Sequence, residues 1–372
     1  MSIVKGLAGI EVDETSVSDI DGAAGQLRYR GYPLEALIDL PFADVAALVL
    51  YGELPDASAS QNFANALRES HIDARLADAL LAIGARASHP MVALQTATPL
   101  LLDAPAPGAE AGAALIADGV RLAARLPNAL AILRAGARGE HAPPAVPAIA
   151  DYGTRVLTQL TGRTPTADAA RAFEQMQILQ LDHGFNAGTF TARVVASTLA
   201  PVAACVAAAF GALSGRLHGG ADQAAIEMAR RVVTPERAAA EVAALTARGD
   251  KIMGMGHREY RVIDPRAIVT QAVAERLTQP GRGREEFEVL KAIAAVCASA
   301  LGGRSKPVLP NLEFYKGVVY LAVGLTPDQF TTAFALARVF GYVAHIAESR
   351  IDNRIMRPAA RYVGQPLRVP CR

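Results

Sequence analysis

The chain has 372 residues, which is long for one compact domain and suits a large and a small lobe. Hydrophobic residues make up 51% of the chain and charged residues 20%, so a sizeable core can form. A net charge of +1 at pH 7 excludes recognition of nucleic acid or anionic membranes through bulk charge.

The first 32 residues carry the β-like patterning of the sequence. Residues 16–31, SVSDIDGAAGQLRYRG, predict a small hairpin that turns at Asp21-Gly22. The N-terminal segment, MSIVKGLAGIEVDE, lacks the apolar core of a secretory signal peptide. Three widely spaced cysteines form no CxxC pair, which is typical of a reducing compartment. Together these features predict a cytoplasmic protein.

Apolar residues recur at helical spacing through the rest of the chain. The segments with the clearest periodicity are 43–54, 72–87, 167–184, 220–233, 236–249, 265–277 and 326–350. Thr234-Pro235 and Thr326-Pro327 are typical of helix starts, and Gly249 is typical of a helix end. The sequence therefore predicts a mostly α-helical protein with some fifteen or more helices.

Three stretches interrupt this pattern. Residues 138–150 are rich in proline and predict a connector, and residues 278–288 predict a polar, glycine-containing surface loop. Residues 194–213 carry no charge and are long enough to span a bilayer. Their alanine content and Pro201 favour a buried helix in a large soluble core over a membrane span.

Three histidines lie beside glycine, in segments that each precede a predicted helix start. They are His183 in LDHGFNAG, His218 in RLHGGAD and His257 in GMGHREY. Glycine lets the backbone turn sharply beside a ligand, and helix N-termini favour anions. One such histidine is more often structural, but three of them indicate a site. His345 lies within a predicted helix and is expected to be packed and hydrogen-bonded.

The segment around His257 also concentrates cations: Lys251, Arg258, Arg261 and Arg266. Guanidinium groups bind carboxylates and phosphates in bidentate geometry, so this segment predicts contact with anions. Glu313, in LPNLEFYKG, stands at a predicted helix start among apolar residues, which suits a general base. The alternative for Glu313 is an ordinary acid favoured by the helix dipole.

A metal centre is the main rival explanation for several histidines. The sequence contains neither HExxH nor HxH, and no histidine pair is four residues apart on one predicted helix. It also lacks a GxSxG elbow, a P-loop lysine and a GxGxxG following a strand. The pattern favours a site of histidines, arginines and a carboxylate.

Taken in order, these motifs resemble the citrate synthase family. LSGRLHGGAD is similar to SGPLHGGAN of that family, KIMGMGHREYRVIDPRA to MGFGHRVYKNYDPRA, and PNLEFYKGVVY to PNVDFYSG. The resemblance extends over most of the chain through VSDIDGAAGQLRYRGYPLEAL, LDHGFNAGTFTARVVAST, FALARVFGYVAHIAES and IMRPAARYVG. LHGG alone would be weakly specific, whereas the ordered set is strongly specific.

The resemblance implies a mostly helical homodimer whose active site lies in a cleft between two domains. We expect residues 1–220 and 325–372 to form the large, dimerising domain and residues 221–324 the small domain on the CoA side. The implied reaction condenses acetyl-CoA with oxaloacetate and then hydrolyses the citryl thioester, without cofactor or metal. The missing N-terminal extension of larger hexameric relatives favours a simple dimer, and the 194–213 helix is a candidate for its interface.

The resemblance also implies residue roles. Glu313 matches the carboxylate that removes a methyl proton from acetyl-CoA. His218 matches the histidine that hydrogen-bonds the thioester oxygen, and His257 the histidine that polarises the oxaloacetate ketone. The residues that match the oxaloacetate-binding set are His183, His257, Arg266, Arg338 and Arg357 of the partner subunit. The residues that match the CoA-binding set are Arg261, Gly254, Met255 and Gly256.

The sequence departs from the family pattern at several positions. Most relatives carry aspartate where Glu313 stands, and a displacement of about an ångström can lower a rate on the order of 100-fold without compensation. Some bacterial members also carry glutamate here, so we expect activity. Arg216, Met255 and Glu259 replace a proline, a phenylalanine and a valine, and Arg216 and Glu259 could pair or alter CoA contacts.

Other functions fit the same residues. A 2-methylcitrate synthase would use propionyl-CoA, and one methylene in an apolar pocket is worth only about 1–3 kcal/mol, so the motifs do not separate the two. A weakly catalytic relative could bind CoA or a dicarboxylate as a sensor. Glu313 favours this reading, and the retained His218, His257 and Arg338 oppose it. A metal-dependent hydrolase is the remaining alternative.

Overall fold

The computed structural model describes residues 3–7, 9–104, 111–144, 146, 151–215, 218–279, 281–301 and 308–368. Within these residues the fold is built from sixteen α-helices, which confirms the predicted mostly α-helical class. The helices are α1 (Leu34–Leu37), α2 (Phe42–Tyr51), α3 (Ala57–Ala66), α4 (Ala74–Arg86), α5 (Pro90–Ala97), α6 (Gly112–Arg138), α7 (Tyr152–Thr161), α8 (Ala167–Ile178), α9 (Ala187–Ala196), α10 (Val202–Leu213), α11 (Ala221–Val232), α12 (Ala238–Arg248), α13 (Pro265–Leu277), α14 (Arg284–Leu301), α15 (Leu312–Ala322) and α16 (Phe330–Ser349). Short 3-10 turns occur at Lys5–Leu7, Thr98–Leu101, Pro235–Arg237 and Pro327–Gln329.

The predicted hairpin is present and belongs to a three-stranded antiparallel sheet. Its strands, in spatial order, are β1 (Ser18–Asp21), β2 (Gln26–Tyr29) and β3 (Tyr32–Pro33). Ser18 pairs with Tyr29 and Asp21 with Gln26. The Asp21 carboxylate accepts the backbone N–H groups of Ala23 and Ala24, which closes the turn. The sheet is small, and its turn contacts the loop that carries His257.

All seven segments with clear helical periodicity form helices, namely α2, α4, α8, α11, α12, α13 and α16. Gly249 ends α12 with a φ of 72°, and Thr326 forms a capping box with Gln329 before α16. The loop predicted at 278–288 is wrong for its last five residues, because α14 begins at Arg284. The connector predicted at 138–150 begins where α6 ends, and residues 145 and 147–150 lie outside the described part.

The single helix expected over residues 194–213 is wrong. α9 ends at Ala196 and α10 begins at Val202, with Pro201 at its N-cap and Leu199 at a φ of 62° between them. The periodic signal missed this break because the sequence stays apolar across it. Within the described residues, one segment is long and apolar enough to cross a membrane by length and composition, Pro327–Ser349, and 94% of its apolar 18-residue window is buried inside the fold.

Helix α16 is the centre of the core. It is buried from Phe330 to Ile346 and packs against α2, α6, α8, α9 and α10. Gly341 lets α16 pack close to the segment after α8, since a Cβ there would collide with the Leu181 carbonyl. Arg338 donates from Nε to the Gln180 carbonyl at 2.6 Å. α16 therefore supports the loop between α8 and α9, which carries His183.

Candidate active site

Backbone pairing joins the loop of His257 to the start of α15. Gly256 N–H donates to the Leu309 carbonyl at 2.7 Å, and Asn311 N–H donates to the Gly254 carbonyl at 2.9 Å. Met255 lies opposite Pro310 in the same short antiparallel bridge. The predicted histidine and the predicted carboxylate, far apart in sequence, are thus carried by two adjoining segments.

Two capping side chains reinforce this junction. Asn311 caps α15 by accepting the Glu313 N–H, and its own amide donates to the Gly256 carbonyl. Asp264 caps α13 and accepts the Leu312 N–H at 3.1 Å. Asp264 therefore holds the helices of Arg266 and Glu313 together, although the sequence analysis did not single it out. An acid at a helix N-cap before proline was its available signal.

Arg266 is buried and paired. Its Nε and Nη2 atoms donate to the two carboxylate oxygens of Asp264 at 3.0 and 2.8 Å. Burial alone would raise the pKa of Asp264, but the guanidinium outweighs it and the pKa is lowered. The pair stabilises the Arg266 cation in the interior, and Asp264 does not engage every N–H group of the guanidinium.

His257 presents Nε2 to the same point as Arg266. Its Nδ1 atom accepts the N–H groups of Glu259 and Tyr260 at 3.0 and 3.3 Å, so the neutral ring carries its proton on Nε2. Nε2 lies 3.3 Å from the Nη2 atom of Arg266. Both groups are then donors, and an oxygen placed between them would accept from both. This arrangement suits a carbonyl or carboxylate ligand.

His183 extends this cluster. Its ring lies 5.1 Å from that of His257, and its Nε2 is 3.2 Å from the Tyr260 hydroxyl. Burial holds the pKa of His183 well below its usual range, and the charges of Arg266, His257 and Arg338 act in the same direction. A buried site whose neighbouring cations keep a histidine neutral favours an anion.

His218 lies at the start of the segment before α11. Its Nε2 is 3.3 Å from Oδ1 of Asn186, which caps α9. Burial, followed by the charge of Arg338, lowers the pKa of His218 to about 4, and Glu313 partly opposes this shift. His218, Arg338 and Glu313 therefore share one electrostatic environment, with His218 neutral at physiological pH.

The surroundings expected for Glu313 are wrong in one respect, because they are not purely apolar. Both carboxylate oxygens of Glu313 accept from Lys316 Nζ at 2.9 Å. Lys316 is fully buried and also contacts Asp222 and Gln180. Periodicity and composition around Glu313 did not indicate that Lys316 is buried. In the sequence, a lysine three residues further along a helix is typical of a solvent-exposed position.

The remaining predicted residues lie at the edge of this cluster or away from it. Arg261 is exposed, and its backbone N–H donates to the Gly22 carbonyl in the hairpin turn. Arg357 is exposed in the C-terminal segment and is not brought to the cluster within one chain. Arg216 lies outside the described residues. His345 is confirmed as a packed residue, with its Nε2 3.2 Å from Asp182.

The described residues contain no group of three or more His, Cys, Asp or Glu side chains arranged to hold a metal ion. The three predicted histidines instead contact an arginine, a tyrosine and an asparagine. Their hydrogen-bond partners suit an organic anion.

Replacing Gly254 by alanine is expected to lower the free energy of unfolding by on the order of 2 kcal/mol and to reduce activity. Gly254 has a φ of 75°, and a Cβ there would lie 2.7 Å from Phe314 Cα, a backbone atom at the start of α15. Urea unfolding measures the effect. Gly249→Ala is the matched control, because Gly249 has a φ of 72° with open space around it. Equal effects of the two substitutions would show that the contact with Phe314 is unimportant.

We expect the low pKa of His218 to make the folded protein less stable as pH falls. With a folded pKa of about 4, below its usual value, the folded state binds fewer protons than the unfolded state. The contribution of His218 to the free energy of unfolding therefore falls by on the order of 3 kcal/mol as pH drops from about 7 to 4. Asp222, whose pKa burial raises to about 6, acts in the opposite direction, so the difference between wild type and His218→Gln is the quantity to measure.

We expect urea unfolding to show the His218→Gln variant gaining stability relative to wild type as pH falls. His71→Gln, at an exposed histidine, should run parallel to wild type. A wild-type-minus-variant difference that is constant from pH 7 to pH 4 would contradict the prediction.

Comparison with known proteins supports the motif resemblance. Residues 6–359 match the family model described as citrate synthase, C-terminal domain. The 2-methylcitrate synthase of Mycobacterium tuberculosis is 38% identical, over 99% of this chain and 92% of that protein. The citrate synthase of Synechocystis sp. is 36% identical, over 97% of this chain and 90% of that protein.

Solved structures share the same helical fold. The citrate synthase from Pyrobaculum aerophilum superposes with a TM-score of 0.89 at 31% identity, covering 99% of this chain and 94% of that one. The citrate synthase from Thermoplasma acidophilum, solved as a ternary complex with carboxymethyl coenzyme A and oxaloacetate, has a TM-score of 0.90 at 27% identity, covering 100% and 98%. The likeness extends over whole chains.

Proposed function

Because the chain belongs to the citrate synthase family of condensing acyltransferases, we propose that it converts acetyl-CoA, oxaloacetate and water to citrate and CoA. The observation that carries this proposal is the backbone pairing of residues 254–256 with 309–311, which unites the His257 loop with the Glu313 helix. Carbon–carbon bond formation needs a base for one substrate beside a hydrogen-bond donor for the other, and this pairing supplies both.

In the first step, the Glu313 carboxylate removes a proton from the acetyl methyl group. Negative charge develops on the thioester oxygen, which a neutral His218 stabilises by hydrogen bonding. The low pKa of His218 fits this role, because the neutral ring is the form present at pH 7.

In the second step, the enol(ate) carbon attacks the ketone carbon of oxaloacetate. The ketone π electrons move to oxygen, and Nε2–H of His257 supplies a hydrogen bond or the proton to the new hydroxyl group. Arg266 and Arg338 bind the carboxylates, with His183 beside them, and burial strengthens these interactions. The Nη2 atom of Arg266 already lies beside Nε2 of His257, so both can donate to one ligand oxygen.

In the last step, water adds to the citryl thioester, the carbon–sulfur bond breaks, and CoA leaves as the thiol. We assign CoA binding to Arg261, an exposed cation for phosphate, and to the backbone of Gly254, Met255 and Gly256. Gly256 has open space where a side chain would stand, which admits a ligand. Fixed cations and hydrogen-bond donors supply the electrostatic stabilisation, so the scheme uses no cofactor or metal.

We propose a homodimer in which Arg357 of the partner subunit completes the oxaloacetate site. Residues 351–368 form neither helix nor strand, and Tyr362, Val363 and Leu367 are between 78% and 98% exposed. Large apolar side chains in an extended segment are stabilised when a second subunit covers them. Val194 and Leu199, at the end of α9 and just after it, are partly exposed as well and are a candidate part of that interface.

The two-domain division remains a proposal, with residues 1–220 and 325–372 in one domain and 221–324 in the other. It is supported by packing of α11, α13 and α14 against α15, and of α12 against α14. In this division His218 and Glu313 lie in different domains, so movement of one domain against the other would assemble the site. The cytoplasmic location also remains a prediction.

Propionyl-CoA is the alternative acyl donor. Relatives named 2-methylcitrate synthase, at 38% and 34% identity, stand beside relatives named citrate synthase, at 36% and 33%. The reaction would be identical except for one additional methylene on the donor. The family and the site chemistry are therefore compatible with both donors.

The test is release of free CoA thiol, followed with a chromogenic disulfide reagent. Purified protein receives oxaloacetate with acetyl-CoA, and separately with propionyl-CoA. We expect oxaloacetate-dependent release with a higher kcat/KM for acetyl-CoA. A higher value for propionyl-CoA would assign the 2-methylcitrate reaction, and no release with either donor, from folded dimeric protein, would favour a binding-only sensor.

A further inference from the structure

Lys316 is a fully buried ammonium at the junction of α15, α11 and the loop after α8. Its Nζ atom lies 2.9 Å from both oxygens of Glu313, 3.2 Å from Oδ2 of Asp222 and 3.0 Å from Oε1 of Gln180. The Phe334 ring covers it, with a centroid 4.3 Å away. A buried ammonium is retained only with such compensation, so its geometry is strongly constrained.

Three departures from the family motifs meet at this one point. Glu313 stands where PNVDFYSG has aspartate, Lys316 stands where it has serine, and Asp222 stands where SGPLHGGAN has asparagine. The side chains of these three residues form one ion cluster, although Asp222 is distant in sequence. The longer carboxylate therefore occurs together with a cation that binds it and an anion that balances the cation.

We propose that Lys316 is a positioning residue that holds the Glu313 carboxylate in its reactive direction, with Asp222 anchoring Lys316. This deepens the proposed function and rests on it. Glu313 has one more rotatable bond than aspartate, and equal distances from Nζ to both oxygens remove that freedom. Asn311 fixes the backbone end of the same residue through the N-cap.

The surrounding charges agree with a shared cation. Burial raises the pKa of Asp222 to about 6; Lys316 opposes this rise, and Glu313 adds to it. The charged and titratable groups facing the cluster are Asp222 on α11, Glu313, Lys316 and Tyr320 on α15, His218 before α11 and Arg338 on α16. Among these, Lys316 is the group in direct contact with both carboxylates.

The kinetic test is Lys316→Met, which keeps the length of the side chain and removes its charge. We expect kcat to fall about 10- to 100-fold with the KM for oxaloacetate changed less than about twofold. We also expect the acidic limb of the kcat–pH profile to move to higher pH, because the base loses an adjacent cation. In a Glu313→Asp background the same substitution should have a much smaller effect. Lys291→Met removes a partly exposed lysine of α14 that pairs with Glu275 on α13 and Glu288 on α14, and it should leave kcat unchanged.

Lys316→Met also leaves Asp222 buried without its cation, so Lys316→Met/Asp222→Asn is the second variant. It should recover thermal stability but not kcat, because Asp222 acts only through Lys316. Recovery of kcat together with stability would overturn the proposal in favour of a purely structural ion pair.

An activity-independent measurement separates this proposal from the proposed function. In protein labelled with 13C-glutamate, the carboxyl signal of Glu313 is the one that Glu313→Gln lacks. We expect it to titrate at higher pH in Lys316→Met/Asp222→Asn than in Asp222→Asn. Titration at the same pH in both would overturn the proposal even in an active enzyme. If wild type releases no CoA thiol, the proposed function fails while this titration still decides whether Lys316 holds the carboxylate.

Discussion

Replacing Glu313 by glutamine is expected to lower kcat for condensation roughly 10³-fold while oxaloacetate still binds. Glutamine keeps the size and the N-capped position of the side chain but cannot accept the methyl proton as a base. The Arg266–Asp264 pair and the His183–His257 contact do not involve Glu313, so the dicarboxylate site should persist. Thiol release measures kcat, and calorimetry with oxaloacetate alone measures binding.

Glu275→Gln is the matched control for this substitution. Glu275 is a glutamate on α13 that pairs with Arg284 and Lys291, away from the cluster, and its replacement should leave kcat unchanged. A Glu313→Gln enzyme retaining more than about a tenth of wild-type kcat would mean that another group is the base. Loss of oxaloacetate binding in the variant would instead show that Glu313 supports the structure of the site.

Sequence patterns were sufficient where the physical cause is local. The hairpin at Asp21-Gly22, the left-handed Gly249 and the capping box at Thr326 each depend on a few adjacent residues, and each is present. The break near Leu199 was missed because neither charge nor periodicity marks it, only a backbone conformation and Pro201. A long apolar run indicates that a segment is buried, but it does not indicate whether the segment forms one continuous helix.

In the candidate site, too, the sequence was sufficient for some residues and not for others. Motif order was enough to choose His183, His257 and Arg266, which the fold brings into contact. It was not enough to find Asp264, whose role depends on a hydrogen bond to a helix start 48 residues later, or the cation that binds Glu313. Such partners are set by tertiary packing, and a single sequence carries no signal for distances of that kind.

Arg357 provides the sharpest test of the proposed dimer. Arg357→Ala alone should lower activity at least about 100-fold, because one cation for the dicarboxylate is lost. Mixing it with Glu313→Gln should restore activity if Arg357 serves the partner's site. In a mixed dimer, one site then combines an intact Glu313 from its own chain with an intact Arg357 of the partner subunit. The other site carries both defects.

After unfolding and refolding an equal mixture, about half of the dimers should be mixed, each with one native site of two. We therefore expect about a quarter of wild-type activity from two nearly inactive proteins. If Arg357 served its own chain's site, each site in a mixed dimer would carry one defect and the mixture would remain inactive. Refolded wild type measures the yield, and refolding each variant separately measures the background. Complementation at the expected level would place Arg357 across the subunit boundary, because no arrangement within one chain creates a native site from these two variants.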